Sequence, residues 1–201
     1  MTVHPTAIVE TDRIGSGTRV WAFTHVSAGA SVGRDCNIGS HCYVEAGAVV
    51  GDTVTVKNGN FIWAGVTLDD GVFVGPGVVF TNDRFPRSPR LGVTGSRYEN
   101  EAGWLVPTHV RRGATLGAGA VIVAGVTIEE FAFVAAAALV TRDVAAQALV
   151  AGHPARSAGW VCRCGRRLEA RGGRFVCGAC GLAYVLEAGR MTGPVGAGVE
   201  R

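Results

Sequence analysis

The feature that most limits how this chain can fold is a period of six. A large apolar residue recurs at every sixth position from Ile8 through Ile14, Val20, Val26, Val32, Ile38, Val44, Val50, Val56, Ile62, Leu68 and Val74 to Phe80. The period lapses, then returns as Val110, Leu116, Ile122, Ile128, Val134 and Val140. From Ile14 to Val74, and again from Val110, a smaller side chain follows four residues later, as at Thr18, Cys36, Ala48 and Val54. Asn60 is the one amide in that slot.

Neither the 3.6-residue turn of a helix nor the alternation of a strand returns its inward face every six residues. A polygon of short strands does, if each hexad is one flat side plus one corner and the large residue and its small partner both point inward. The fold class is therefore all-β, a parallel β-helix of hexapeptide repeats. Sandwiches and barrels have no fixed common period. The 30 glycines and the 7% aromatic content suit narrow corners and a thin interior. Gly15, Gly33, Gly39 and Gly51 each follow an inward residue, where positive φ is expected at the corner. Trp21 and Phe23 fall outside the inward slots and predict packing against another subunit.

This gives residues 1–158 as the β-helix, with an insertion at about 81–108, then a cysteine module at 159–188 and a disordered glycine-rich tail at 189–201. The formal charge of +3 is too mild to point to nucleic acid or a membrane surface. No apolar run reaches the roughly 18 residues of a membrane span, and the N-terminus MTVHPTAIVETDR lacks a basic start followed by an apolar core. A cytoplasmic protein is expected.

The six cysteines are of two kinds. Cys36 and Cys42 occupy the small inward slot and read as core filler. Cys162-Arg-Cys164 and Cys177-Gly-Ala-Cys180 form two close pairs 12 residues apart, the spacing of a zinc ribbon in which four thiolates hold one structural ion. Such a site is closed and leaves no open position for catalysis, and its binding energy would fold a segment too small for its own core. A disulfide pairing is disfavoured in a cytosolic chain. Several arginines make the module basic, but it has few aromatics for stacking on bases.

The insertion carries Asn82, Asp83, Arg84, Arg87 and Tyr98, and a long loop inside a compact repeat is a candidate for function. Three strings sharpen this: Phe80-Thr81-Asn82-Asp83-Arg84-Phe85-Pro86-Arg87-Ser88, Arg111-Arg112-Gly113-Ala114-Thr115-Leu116-Gly117-Ala118, and Gly152-His153-Pro154-Ala155-Arg156. With the hexads, they resemble the left-handed β-helix N-acetyltransferases of nucleotide-linked 3-amino sugars, over roughly residues 3–161. The resemblance implies acetyl-CoA as co-substrate, a homotrimer, and active sites in clefts between neighbouring prisms. Two departures stand out. His153 replaces the family's glycine or asparagine before Pro-Ala-Arg, and Val134 is followed by four alanines where the family reads Gly-Ala-Gly-Ala.

By the same resemblance, Asn82 holds the sugar's amino group, Arg87 meets the diphosphate or a sugar carboxylate, Arg112 and Arg156 meet CoA phosphates, and the backbone at Gly117 lines the pantetheine. An amide cannot act as general base, so Asn82 positions the amine; Asp83 is the acid–base candidate by position, or else caps the loop. Coils of about 18 residues stacked about 4.8 Å apart put His25 roughly 15 Å and His41 roughly 11 Å from Asn82, beyond reach. His109 is nearer in level but has no counterpart in the family. Asn58 and Asn60 are assigned to shaping the sugar pocket. The wording at Trp63 and Thr81-Asn82-Asp83 leans toward dTDP-linked sugars, while Val20-Trp21, Gly159-Trp160 and the ribbon lean toward UDP-linked ones. Two alternatives share the fold. A γ-type carbonic anhydrase needs converging histidines that this chain lacks, and a scaffold that recruits a partner through its zinc module would not need the insertion.

Overall fold

A computed structural model describes residues 1–195. Its first 151 residues form a triangular prism whose three faces are parallel sheets of two- to four-residue strands. Face 1 runs from Thr2–Val3 to Ala148–Ala151, face 2 from Ile8–Val9 to Leu139–Val140, and face 3 from Ser31–Val32 to Thr127–Ile128. Asn37 pairs with Thr55 and Thr55 with Phe73, a step of 18 residues per coil. Across the insertion the step becomes 42, as Val79 pairs with Val121, so the insertion adds 24 residues without disturbing the stack. Among the described residues no helix is long and apolar enough to cross a membrane.

The inward column is as the period requires: Val26, Ile38, Val44, Ile62, Leu116 and Ile128 are fully buried, and Cys36 and Cys42 are buried among them. The exception is the first coil. Ile8 is 55% exposed, because Ile8 pairs with His25 and Val9 with Val26, one residue out of phase with the steps above. The phase is corrected before Ile14, which bridges to Val32 in the regular register.

The small inward slot has a second function. A corner turns backbone groups toward the interior, where each needs a partner. Thr18 donates to the Gly33 carbonyl and accepts from the Cys36 N–H, and Thr24 does the same with Gly39 and Cys42.

The corner glycines differ from expectation. Positive φ falls two residues later, at Gly17, Asp35 and Thr53 among others. Gly33 is glycine for another reason: a Cβ there would lie 2.5 Å from the Gly51 carbonyl carbon in the next coil. Close stacking, not handedness, selects it.

Ala148–Ala151 pairs in parallel with Phe133–Val134, and Arg156–Trp160 folds back antiparallel on it to close the C-terminal end. The cysteine module then forms an antiparallel sheet of Glu169–Arg171, Arg174–Val176 and Ala183–Glu187. The tail expected to be disordered begins with order: Arg190–Thr192 pairs with Ala183–Glu187, and Met191 is buried beside Tyr184. Residues 196–201 lie outside the described residues.

Candidate functional site

The prism has three vertical edges. The first, between faces 1 and 2, carries Asn58, Asn60 and Gly117; the second, between faces 2 and 3, carries Asn82 and the insertion; the third, between faces 3 and 1, carries Arg112. The expected site residues are thus spread over all three.

Asn82 opens the insertion where face 2 ends. Its carbonyl accepts the Val106 N–H at 2.9 Å, which ties the two ends of the loop together, and its amide nitrogen lies 3.4 Å from the Ala64 carbonyl one coil below. It is half-buried, with its carboxamide oxygen free of any protein donor among the described residues. Neighbouring bonds brace it: Trp63 donates its indole N–H to the Phe80 carbonyl, and the Thr81 hydroxyl accepts the Ala124 N–H.

Asp83 does not fit an acid–base role. One carboxylate oxygen accepts the Phe85 N–H at 2.8 Å and an Arg97 guanidinium N–H at 2.5 Å, and the other accepts the Tyr98 hydroxyl at 2.9 Å. Burial pushes its pKa up, but the Phe85 N–H, the Tyr98 hydroxyl and the Arg97 charge outweigh this and hold it below the usual carboxylate range. A carboxylate held ionised by three donors anchors the loop beside Asn82. Tyr98 and Arg97, which the sequence reading gave no role, are its partners, and Tyr98 also accepts the Arg87 N–H. Arg87 is exposed at the loop surface, and its guanidinium makes no ion pair among the described residues.

Asn60 is not a substrate contact. It is fully buried, and its amide donates to the Lys57 and Gly75 carbonyls while accepting the Val78 N–H. It does with an amide what Thr18 and Thr24 do with a hydroxyl. Asn58, on the same edge, is exposed and accepts the Ser40 N–H from the coil below.

The residues expected to hold CoA do not share one edge. Gly117 lies on the first edge beneath Ala135–Ala138, and its glycine has a packing cause, since a Cβ would stand 2.4 Å from the Ala136 nitrogen. Arg156 lies at the C-terminal end of the prism, beside a cavity lined by Val144, Val150 and Trp160. Arg112 is one full face away from Gly117, in a groove with Asp70, Gly113, Phe131 and Arg163, and the Arg163 guanidinium stands 5.3 Å over the Phe131 ring. His109 sits in the outward row of face 3 with its ring nitrogen 2.7 Å from Asp69.

The four module cysteines converge. Their sulfurs all lie within 4.8 Å of one another, with Cys162 and Cys180 at 3.4 Å and Cys164 and Cys177 at 3.5 Å. Disulfide sulfurs are about 2.05 Å apart, whereas two bonds of about 2.3 Å at a tetrahedral angle separate sulfurs by about 3.8 Å. The donor set fits a tetrahedral metal ion. Burial pushes the Cys162 thiol up to about 12, while the Cys180 and Ala179 N–H groups overcome burial and bring Cys177 down to about 7. Tyr184, fully buried, places its hydroxyl 3.2 Å from the Cys162 sulfur. A ring this far from the cysteines in sequence carried no signal of that contact.

The bacterial transferase hexapeptide family (six repeats) matches residues 13–46. The chain is 47% identical over 182 residues to the dTDP-3-amino-3,6-dideoxy-alpha-D-galactopyranose 3-N-acetyltransferase of Aneurinibacillus thermoaerophilus, which spans 90% of this chain and 89% of that one. Among solved structures it is similar to AntD, an N-acyltransferase from Bacillus cereus in complex with dTDP and 3-hydroxybutyryl-CoA, with TM-score 0.53, 14% identity and 80% of each chain covered. It is also similar to the acetyltransferase domain of PglB from Neisseria gonorrhoeae, with TM-score 0.50, 22% identity and 77% of this chain covered; the chain spans 56% of the length of that one. At these identities the two structures speak for the fold alone.

Proposed function

The chain belongs to the hexapeptide-repeat N-acetyltransferases of nucleotide-linked 3-amino sugars, and on that footing we propose that it transfers an acetyl group from acetyl-CoA to the 3-amino group of a dTDP-linked 3-amino-3,6-dideoxyhexose. The single observation that carries this is the identity of 47% over 90% of this chain with a relative of that activity. It favours dTDP over the UDP-linked alternative.

In this reaction the neutral amine nitrogen bonds to the thioester carbonyl carbon. The carbon–sulfur bond then breaks, and the proton shed by nitrogen passes to the departing thiolate, giving an amide and the CoA thiol. Asn82 is suited to hold the amine, because its free carboxamide oxygen accepts an amine N–H and aims the nitrogen lone pair. With Asp83 engaged in the loop and His109 tied to Asp69, no side chain near Asn82 is assigned as base. Arg87 is suited to the substrate diphosphate by its free, forked guanidinium. Arg156 is assigned to CoA, as is the ledge at Gly117.

The reading includes a homotrimer. The upper part of the outward row of face 2, from Phe61 through Val79, Val121 and Leu139, is apolar, with Phe61 48% and Val79 49% exposed, and a monomer rarely leaves such a stripe in water. It also includes a structural zinc ion on Cys162, Cys164, Cys177 and Cys180, and a cytoplasmic location beside soluble nucleotide sugars. The test is release of CoA thiol with dTDP- and UDP-linked 3-amino sugars as acceptors. Transfer to the dTDP sugar supports the proposal, and transfer to neither sugar refutes it. Asn82→Ala should lower turnover at least about a hundredfold with the trimer intact.

A further inference from the structure

Each corner of the prism places one residue in the left-handed region. On the first edge the successive occupants are Phe23, His41, Gly59, Gly77, Gly119 and Ala137. Glycine takes that conformation without steric cost, whereas a residue with a Cβ is strained in it, a bulky one most of all. Phe23 at φ 59° and His41 at φ 56° are the two large side chains held in that conformation on this edge.

Burial does not compensate them. Phe23 is 60% exposed and His41 is exposed, and their rings stack on each other with centroids 5.0 Å apart and planes 23° from parallel. Other bulky occupants of this corner position have a local partner: Phe131 lies against Gly113 under the Arg163 guanidinium, and Gln147 bonds the Val161 carbonyl. Phe23 and His41 stack on each other, and neither side chain makes a hydrogen bond or ion pair among the described residues. Strained residues that present rings to solvent are a mark of ligand clamps.

The position above His41 is Gly59, and a Cβ there would meet nothing within 4 Å. The same holds at Gly77. The upper side of the ring pair thus opens on a gap at least two coils high, about 10 Å, into which the first edge sends no side chain at this corner position. A flat aromatic ring extends a stack in such a gap.

Height along the prism identifies the ring. Gly77 belongs to the coil that ends in Asn82, so Gly59 lies one coil below the amine-holding residue and Phe23 three coils below. We propose that Phe23 and His41 form a stacking platform for the pyrimidine base of the nucleotide sugar, with the base entering over Gly59. This rests on the acetyl-transfer proposal above, including its trimer, because the first edge and the Asn82 edge meet only where two prisms lie side by side. It assigns the parts of the substrate to heights: the base toward the N-terminal coils, the reacting amine at Asn82, and CoA toward Arg156.

The test uses Phe23→Gly and His41→Gly, both suited to the left-handed backbone, and Gly59→Asn, which tolerates that backbone and fills the gap. Binding of thymidine 5′-diphosphate is measured by calorimetry, with the KM for each substrate, the melting temperature and the oligomeric mass. Loss of one stacked base corresponds to roughly five- to hundredfold weaker binding. Each variant should show that loss and a matching rise in the KM for the nucleotide sugar. The KM for acetyl-CoA and the mass should not change, and the two glycine variants should melt no lower than the parent protein. Unchanged diphosphate binding in the variants would overturn the platform, and so would dissociation of the assembly, which would make the rings a subunit contact. A parent protein that binds no pyrimidine nucleotide and acetylates neither sugar would bring down the acetyl-transfer proposal as well, whereas intact transfer with unaffected variants removes the platform alone.

Discussion

Asn60 separates a structural role from a substrate role more cleanly than any other residue in the prism. Replacing it with valine removes the partner of the buried Val78 N–H and of the Gly75 carbonyl, while the Lys57 carbonyl, which Asn60 also bonds, keeps the Cys42 thiol. An unsatisfied buried backbone group costs about 1–3 kcal/mol, so the pair costs about 2–6 kcal/mol. Burying two methyls in place of an amide returns about 1 kcal/mol or more, leaving a loss near 3 kcal/mol. In a chain of this length about 1 kcal/mol corresponds to about 2–4 °C, so Asn60→Val should melt about 6–12 °C lower. Asn60→Thr should lose less than about 4 °C, because Thr18 and Thr24 make the same two bonds to residues 15 and 18 positions ahead. The assay is thermal unfolding of the three proteins at one concentration, since assembly is linked to stability, together with the KM for the nucleotide sugar. If Asn60→Val melts with the parent protein, the slot does not need its hydrogen bonds. If Asn60→Thr keeps its melting temperature but loses sugar affinity, Asn60 belongs to the pocket after all.

Asp83 and the cysteines give two further tests. Because the folded pKa of Asp83 lies below its ordinary value near 3.9, its contribution is fully present above that value and is lost as pH falls through the lowered one. Protease cleavage within residues 84–104 should therefore rise below about pH 4, and Asp83→Asn should show the open loop already at pH 7; a loop equally protected in that variant refutes the anchor. Chelation or Cys164→Ser should remove one zinc per chain and expose the amides of residues 162–192 to hydrogen exchange while the prism stays protected. A module still protected without metal would mean that its small core of Leu168, Tyr184 and Met191 suffices.

The fold was legible because one coil is one short sentence of sequence. A prism only one residue pair thick must put an apolar side chain inside at each face, so the period of six is a direct image of the geometry, and the insertion shows as the place where it fails. The cysteine spacing was legible for a similar reason, as knuckles bring ligands together locally. Asn60 was misread because an amide was judged by its type; its slot, shared with Thr18 and Thr24, assigns it. Ile8 was misplaced because the one-residue slip before Ile14 lies where both Ile8 and Val9 are apolar, and pattern alone cannot choose between them. Arg97, Tyr98 and Tyr184 were missed because their contacts are set by how a loop and a small sheet fold back, which leaves no period to follow.

The same regularity explains why function gathers on the edges. On a face, backbone N–H and carbonyl groups are taken by the coils above and below, and the side chains alternate between a packed core and the outward row. An edge is different. Each corner holds one residue in a conformation that glycine fits best, and the fold is indifferent to the side chain there so long as the turn is made. Where glycine stands, as at Gly59 and Gly77, the edge is bare backbone that a ligand can approach. Where a ring stands, as at Phe23 and His41, the edge presents an aromatic face instead. Arg112 and Gly117, both assigned to CoA by the resemblance, stand five positions apart, yet five positions here are a whole face, and the residues that share an edge are those 18 apart. In such a prism a site is found by reading the sequence in steps of 18, and Phe23, His41 and Gly59 lie on one such line.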